Sequence, residues 1–180
     1  MSYDELEQLG REQLSSSFFM REFLYSEISQ IKKVPNIPHS PELTLMNGRI
    51  LCTDILEPIQ DKYGRVSVRS GYRSPEINAL GAANKNKFKC ASNKRNYSKH
   101  IWDYPDVNGF FGATACIVLP SYLKYYRKEG DWQTLAKWID SNIPKYSEMT
   151  FYPKLCAFNI SWHERPKRKI RSYISKSTQL

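Results

Sequence analysis

Leu51, Ile55 and Ile59 recur at four-residue steps with Cys52 and Leu56 beside them, and Ser40 before Pro41 supplies a cap followed by a first-turn proline. This pattern predicts a long helix ended by Gly64, its apolar stripe buried in the core. Residues 65–70 then alternate as a half-buried strand does, and Gly71-Tyr72-Arg73-Ser74-Pro75 leaves that strand in a turn. Residues 114–119 predict a second strand stopped by Pro120, and Trp132, Leu135, Ala136 and Ile139 predict a helix after Asp131. Two apolar runs, 148–152 and 156–162, flank Pro153-Lys154-Leu155 and predict a hairpin. Toward the N-terminus, residues 14–24 offer serine caps before an apolar helical turn, and residues 34–38 read as an extended link. Residues 82–97 carry no periodicity and predict a long polar loop.

Helices and strands mixed in this order indicate an α+β domain: a small antiparallel sheet packed against helices. At 180 residues and 41% hydrophobic content the expectation is one domain over residues 1–180, with a core from about 14 to 163 and a basic tail over 164–180. No run approaches the roughly 18 to 20 apolar residues of a membrane span, and the N-terminus is acidic where a signal peptide is basic. The four cysteines, Cys52, Cys90, Cys116 and Cys156, form no Cys-x-x-Cys pair, so free thiols in a reducing, cytoplasmic setting are expected. The formal charge of +9 is local. Residues 82–99 hold six Lys or Arg and no acid, and residues 163–180 hold six against Glu164, leaving fifteen basic and seventeen acidic residues elsewhere.

Three local signatures carry a resemblance. Ser70-Gly71-Tyr72-Arg73-Ser74-Pro75 with Asn78 resembles the Ser-Gly-Tyr-Arg-Ser-Pro…Asn segment of the Hedgehog / D-Ala-D-Ala carboxypeptidase zinc-peptidase superfamily, in its bacterial cell-wall peptidases. Ser98-Lys99-His100 is similar to the start of that family's Ser-x-His-x-x-Gly-x-Ala-x-Asp motif. Phe151-Tyr152-Pro153 followed by Ala157-Phe158-Asn159-Ile160-Ser161 resembles its closing Tyr-Tyr-Pro…Phe-Val-His-Val-Asp hairpin. The resemblance implies that fold, and a zinc or other divalent transition metal on two His and an Asp, with an acidic general base and open coordination for water. It also implies that Arg73 binds a carboxylate or carbonyl oxygen of the substrate, with Ser98 and Asn159 beside it.

The metal motif departs from the family. His100 matches the first ligand, but the Asp expected seven residues on is Val107. After a nine-residue insertion, Gly112-Ala113-Thr114-Ala115-Cys116 restores the frame and puts Cys116 at the ligand position, where a thiolate suits zinc and a small buried hydrophobe is the plainer alternative. The family's last His falls on Asn159 and its acid on Ser161, neither able to do that work. His163 is the candidate third ligand, with Asp103 or Asp106 as substitutes. On a continuing strand, however, it lies about 13 Å beyond Asn159, four residues at roughly 3.3 Å each. His39, between Pro38 and Ser40, belongs to a helix start.

Two functional expectations follow. One is a divergent metal-dependent hydrolase of an amide or peptide substrate bearing an anionic group. The other is a catalytically silent peptidase-like domain that binds a small anionic or peptide ligand. Lys85, Lys87, Lys89, Lys94, Arg95 and Lys99, interleaved with Phe88 and Tyr97, also permit a weaker third expectation, nucleic-acid binding. The oligomeric state is not indicated.

Overall fold

The computed structural model describes residues 2–174, without the side chains of Tyr3 and Lys85; the tail positions 175–180 lie outside it. After α1 (Tyr3–Arg11), α2 (Met20–Leu24) and α3 (Glu27–Lys32), the predicted long helix runs as α4 (Pro41–Leu51), a π segment (Cys52–Leu56) and α5 (Glu57–Tyr63). Ser40 caps α4 through its side chain, and Gly64 ends α5 with φ +75°. The π segment answers two features of the sequence. Steps of four residues drift by about 40° per turn on an α-helix, and the wider π turn brings Leu51, Ile55 and Ile59 back to one fully buried face. It also precedes Pro58, whose ring clashes with the preceding turn of a regular helix.

The sheet has five strands in the order β1 (Ser67–Ser70), β2 (Gly112–Val118), β4 (Phe158–His163), β3 (Tyr146–Phe151), β5 (Lys169–Ser172). It is antiparallel except at one edge, where β5 pairs parallel to β3, so the expected all-antiparallel sheet is corrected there. Between the strands come α6 (Pro75–Ala83), α7 (Lys85–Phe88) and α8 (Asn93–Asn96), then α9 (Pro120–Glu129) and α10 (Gln133–Asn142). The expected loop over 82–97 therefore contains two short helices, α7 and α8. Residues 14–19 form a tight turn bridged by Gln13 and Phe19, so that only the last part of the expected 14–24 helix is helical, as α2.

One face of the sheet is core. Ala113, Ala115, Ile117, Met149, Phe151, Phe158 and Ile160 are buried there against the stripe of α4 and the π segment. Trp162 donates its indole N–H to the Asn47 carbonyl at 2.8 Å, and Trp102 donates to the Thr114 carbonyl at 3.2 Å. Two β-bulges set what reaches the other face. Register shifts between Val68 and Ser70, and between Tyr146 and Glu148, each break the alternation of side chains. Val68 and Tyr146 thus pack with the core while Ser70 and Glu148 line a cavity on the opposite side.

Candidate functional site: a basic cavity on the polar face of the sheet

The Ser70–Pro75 segment is held from both sides. Gly71 sits where a Cβ would lie 2.8 Å from Phe23 side-chain atoms, so only glycine lets the chain pass. The Arg73 N–H donates to the His100 carbonyl at 2.7 Å, and His100 Nδ1 lies 2.9 Å from the Gly71 carbonyl. A carbonyl only accepts, so Nδ1 carries the ring proton and Nε2 carries the lone pair. Tyr72 donates its hydroxyl to Asp103, Ser74 caps α6, and Asn36 accepts from the Ser74 N–H at 2.7 Å. Asn78 ties α6 to the following segment by donating to the Ala91 carbonyl and to Asn93.

These contacts roof a cavity of about 390 Å³ over the polar sheet face, floored by Thr114 and Cys116 of β2, Asn159 and Ser161 of β4, and Glu148 and Thr150 of β3. Ser70, Cys116, Asn159, Thr150 and Arg171 form one row across the five strands by register. Of the residues singled out from the sequence, Arg73, His100, Cys116 and Asn159 all line this cavity. Asn159 donates to the Tyr152 hydroxyl at 3.2 Å.

Ser98 and His163 do not reach it. Ser98 is buried with φ +56°, its N–H on the Tyr104 carbonyl, and lines an adjoining cavity of about 190 Å³ together with His163. His163 Nε2 lies 3.3 Å from Asp106 Oδ2, and Nδ1 accepts from the Arg165 N–H. The β2–β4 register runs unbroken to the Gly112–His163 pair, so no bulge shortens the distance along the strand. This corrects the expectation that His163 joins His100 and Cys116. Neither aspartate substitutes for it. Asp103 is buried, accepting from Tyr72 and from the N–H groups of His39 and Ser40, while Asp106 holds its own turn through the Asn108 and Phe110 N–H groups. His39 bridges Glu76 and Tyr104 ahead of α4, in keeping with a helix-start role.

The expected zinc site does not fit these residues. Among the described residues no three His, Cys, Asp or Glu side chains converge as metal ligands. Burial and the Arg73 charge bring the His100 pKa down to about 3, and burial raises the Cys116 thiol despite Arg69 and Arg73. The fixed positive charges of Arg69 and Arg73 beside them suit an anion better than a metal ion.

The cations were only partly visible in the sequence. Arg73, Lys89, Arg95, Lys99 and Arg171 line the cavity, with Glu148 as its one carboxylate among the described residues. Burial alone would raise the Glu148 pKa, but Lys99, Lys167 and Arg171 bring it below the usual range, with Lys99 Nζ at 3.4 Å and Lys167 Nζ at 3.6 Å. Arg73 rests its Nη1 on the neutral Cys90 sulfur at 3.1 Å. Among the described residues none of Arg73, Lys89, Arg95 and Arg171 has a carboxylate within 4.0 Å. Arg171 arrives from the basic tail, whose strand the sequence pattern did not announce. Comparisons with models of protein families, with curated proteins and with solved structures each find no match for this chain.

Proposed function

We propose that this chain is a non-hydrolysing, peptidase-like domain that binds an anionic ligand in the cavity beneath Arg73. The carrying observation is a buried-backed guanidinium with no carboxylate partner among the described residues, next to three more unpaired cations. A fork of N–H donors held against a neutral thiol keeps its full charge for an incoming carboxylate or phosphate. The resemblance of Ser70–Pro75, Ser98–His100 and the closing hairpin to the Hedgehog / D-Ala-D-Ala carboxypeptidase superfamily supports a ligand-binding cleft at this place. The replacement of that family's second His by Asn159 and of its acids by Cys116 and Ser161 supports binding without hydrolysis. With that family's last histidine and both acids replaced, with Glu148 held by Lys99 and Lys167, and with no ligand set for metal-activated water among the described residues, the groups that remain are suited to hold and orient an anion.

Calorimetry with inorganic phosphate, and with a short peptide compared with its C-terminal amide, tests the reading. Wild-type protein is expected to bind phosphate and to prefer the free carboxylate. Arg73→Gln should weaken both at least about tenfold, the scale of one charge-assisted bidentate pair, and Arg73→Lys should recover part of it. Added zinc should leave affinities unchanged and release no cleavage product. Arg73→Gln binding as tightly as wild type, or peptide cleavage that depends on zinc and His100, would overturn the proposal.

A further inference from the structure

The basic cavity does not end at its own walls. At one side it shares Ser70, Arg73, Phe88, Lys89 and Cys116 with a cavity of about 400 Å³ beneath α3 and α7, which adds Arg69 and Lys87. At the other it shares Arg95, Lys99, Glu148 and Ser161 with the cavity holding His163, which adds Lys94 and Lys167. The three therefore adjoin as a trough along the polar face of the sheet, with cations lining each part of it. Its acids are Glu27 at one end, Glu148 in the middle and Asp106 at the other end. Glu148 is compensated by Lys99 and Lys167, and Asp106 faces His163.

A single carboxylate uses one point of such a trough; a chain of regularly spaced anions uses all of it. Aromatic rings distinguish which chain. Tyr173 stacks on Tyr152 at an interplanar angle of 12° and is 69% exposed, at the rim of the central cavity, and Phe88 lines both the central and the α7-side cavities. The exposed Tyr173 ring beside a cationic track accepts a stacked base, whereas acidic side chains offer it nothing flat to stack. Stacking of this kind needs an unpaired base, which a single strand offers and a duplex does not.

Resting on the anion-binding reading above, we infer that the ligand is single-stranded nucleic acid, its phosphates tracking the trough and a base stacking on Tyr173. The cations give affinity by counterion release, without sequence preference.

Fluorescence anisotropy with labelled oligo-dT and oligo-U of about 15 nucleotides, at several salt concentrations, provides the test. Wild-type protein is expected to bind at low salt, with the logarithm of affinity falling linearly as salt rises. The double variant Arg73→Gln/Arg171→Gln should weaken binding at least about tenfold and flatten the slope by roughly 0.7 per lost phosphate contact. Tyr173→Ala should weaken it about fivefold or more with the slope unchanged, as a lost stacking platform does. Lys128→Gln removes one charge from an exposed site outside the trough and serves as the control. Far-UV circular dichroism checks that each variant is folded. Equal affinity for a duplex or for a poly-glutamate peptide, or trough variants indistinguishable from Lys128→Gln, overturns the inference. Arg73-dependent phosphate binding without oligonucleotide binding overturns it alone; loss of both overturns the anion-binding reading as well.

Discussion

His100 is the residue through which the site and the fold are joined. Its Nδ1 proton is committed to the Gly71 carbonyl, and its own carbonyl holds the Arg73 N–H, so one residue fixes both ends of the arginine-bearing turn. Burial, and the repulsion of Arg73 and Lys99, keep it neutral down to a pKa of about 3, against a value near 6.5 when unfolded. Between those values the unfolded chain binds the proton and the native chain does not. Stability is therefore fully present above pH 6.5 and is lost as pH falls toward 3, at up to about 1.4 kcal/mol per pH unit. Urea unfolding at pH 7, 6 and 5, above the range where most carboxylates titrate, should show this slope in wild type and a much flatter one in His100→Gln. Equal slopes would mean that the ring is not the group responsible. The sequence could place His100 because its Ser-x-His frame is local, but not His163, whose role depends on whether a strand bends. The unbroken register answers that and sends the ring to Asp106.

At the scale of elements, the segments best legible from sequence were those whose signal is periodic. The helix opened by Ser40 and the strand ending at Val118 follow their apolar spacing. Two of those missed begin with proline. Pro75 and Pro120 read as turn and stop, yet each is the first residue of a helix, α6 and α9, where a missing N–H costs nothing. The Ser74 cap and Glu76 in the first turn were the available signal for α6. A further contact joins elements far apart in the chain. Glu57, at the junction of the π segment and α5, accepts from Ser15 Oγ at 2.6 Å, Ser16 Oγ at 3.0 Å, and the Ser17 N–H and Oγ at 2.7 and 2.9 Å. Burial opposes its charge, but these donors outweigh burial and hold its pKa below the usual range. The three serines that read as helix caps thus clamp a carboxylate some forty positions later, a pairing no local pattern announces. Glu57→Ala should cost about 2 kcal/mol, the net scale of hydrogen bonds to a charged group. It should do so without weakening phosphate binding, because the clamp lies outside the cavity. Chemical denaturation together with calorimetry checks both halves, and a variant that also loses phosphate affinity would show that the clamp reaches the site.

For the whole molecule the organising fact is a sheet with one apolar and one cationic face. Composition located the positive charge in residues 82–99 and the tail, but not their meeting, because that depends on β5 pairing in parallel with β3 and carrying Arg171 over Thr150. A strand with one apolar residue, Ile170, in a basic run gives almost no periodic signal, and its partner lies some twenty positions earlier. Among the described residues no helix is long and apolar enough to cross a membrane. Gathering like charges over one cavity destabilises the folded chain, and an anion bound there relieves the repulsion. Binding to the native state alone raises stability by RT ln(1 + [L]/Kd), about 1.4 kcal/mol at ten times Kd, which for a chain of this size is about 3 to 6 °C in Tm. Low-millimolar phosphate should therefore raise Tm by several degrees over sodium chloride at equal ionic strength. Arg73→Gln/Arg171→Gln should start from a Tm no lower than that of wild type and gain nothing from phosphate. The chloride comparison removes general screening, and the low concentration removes the broad stabilisation that concentrated phosphate gives any protein. A double variant that still gains the full increment would place the anion somewhere other than beneath Arg73.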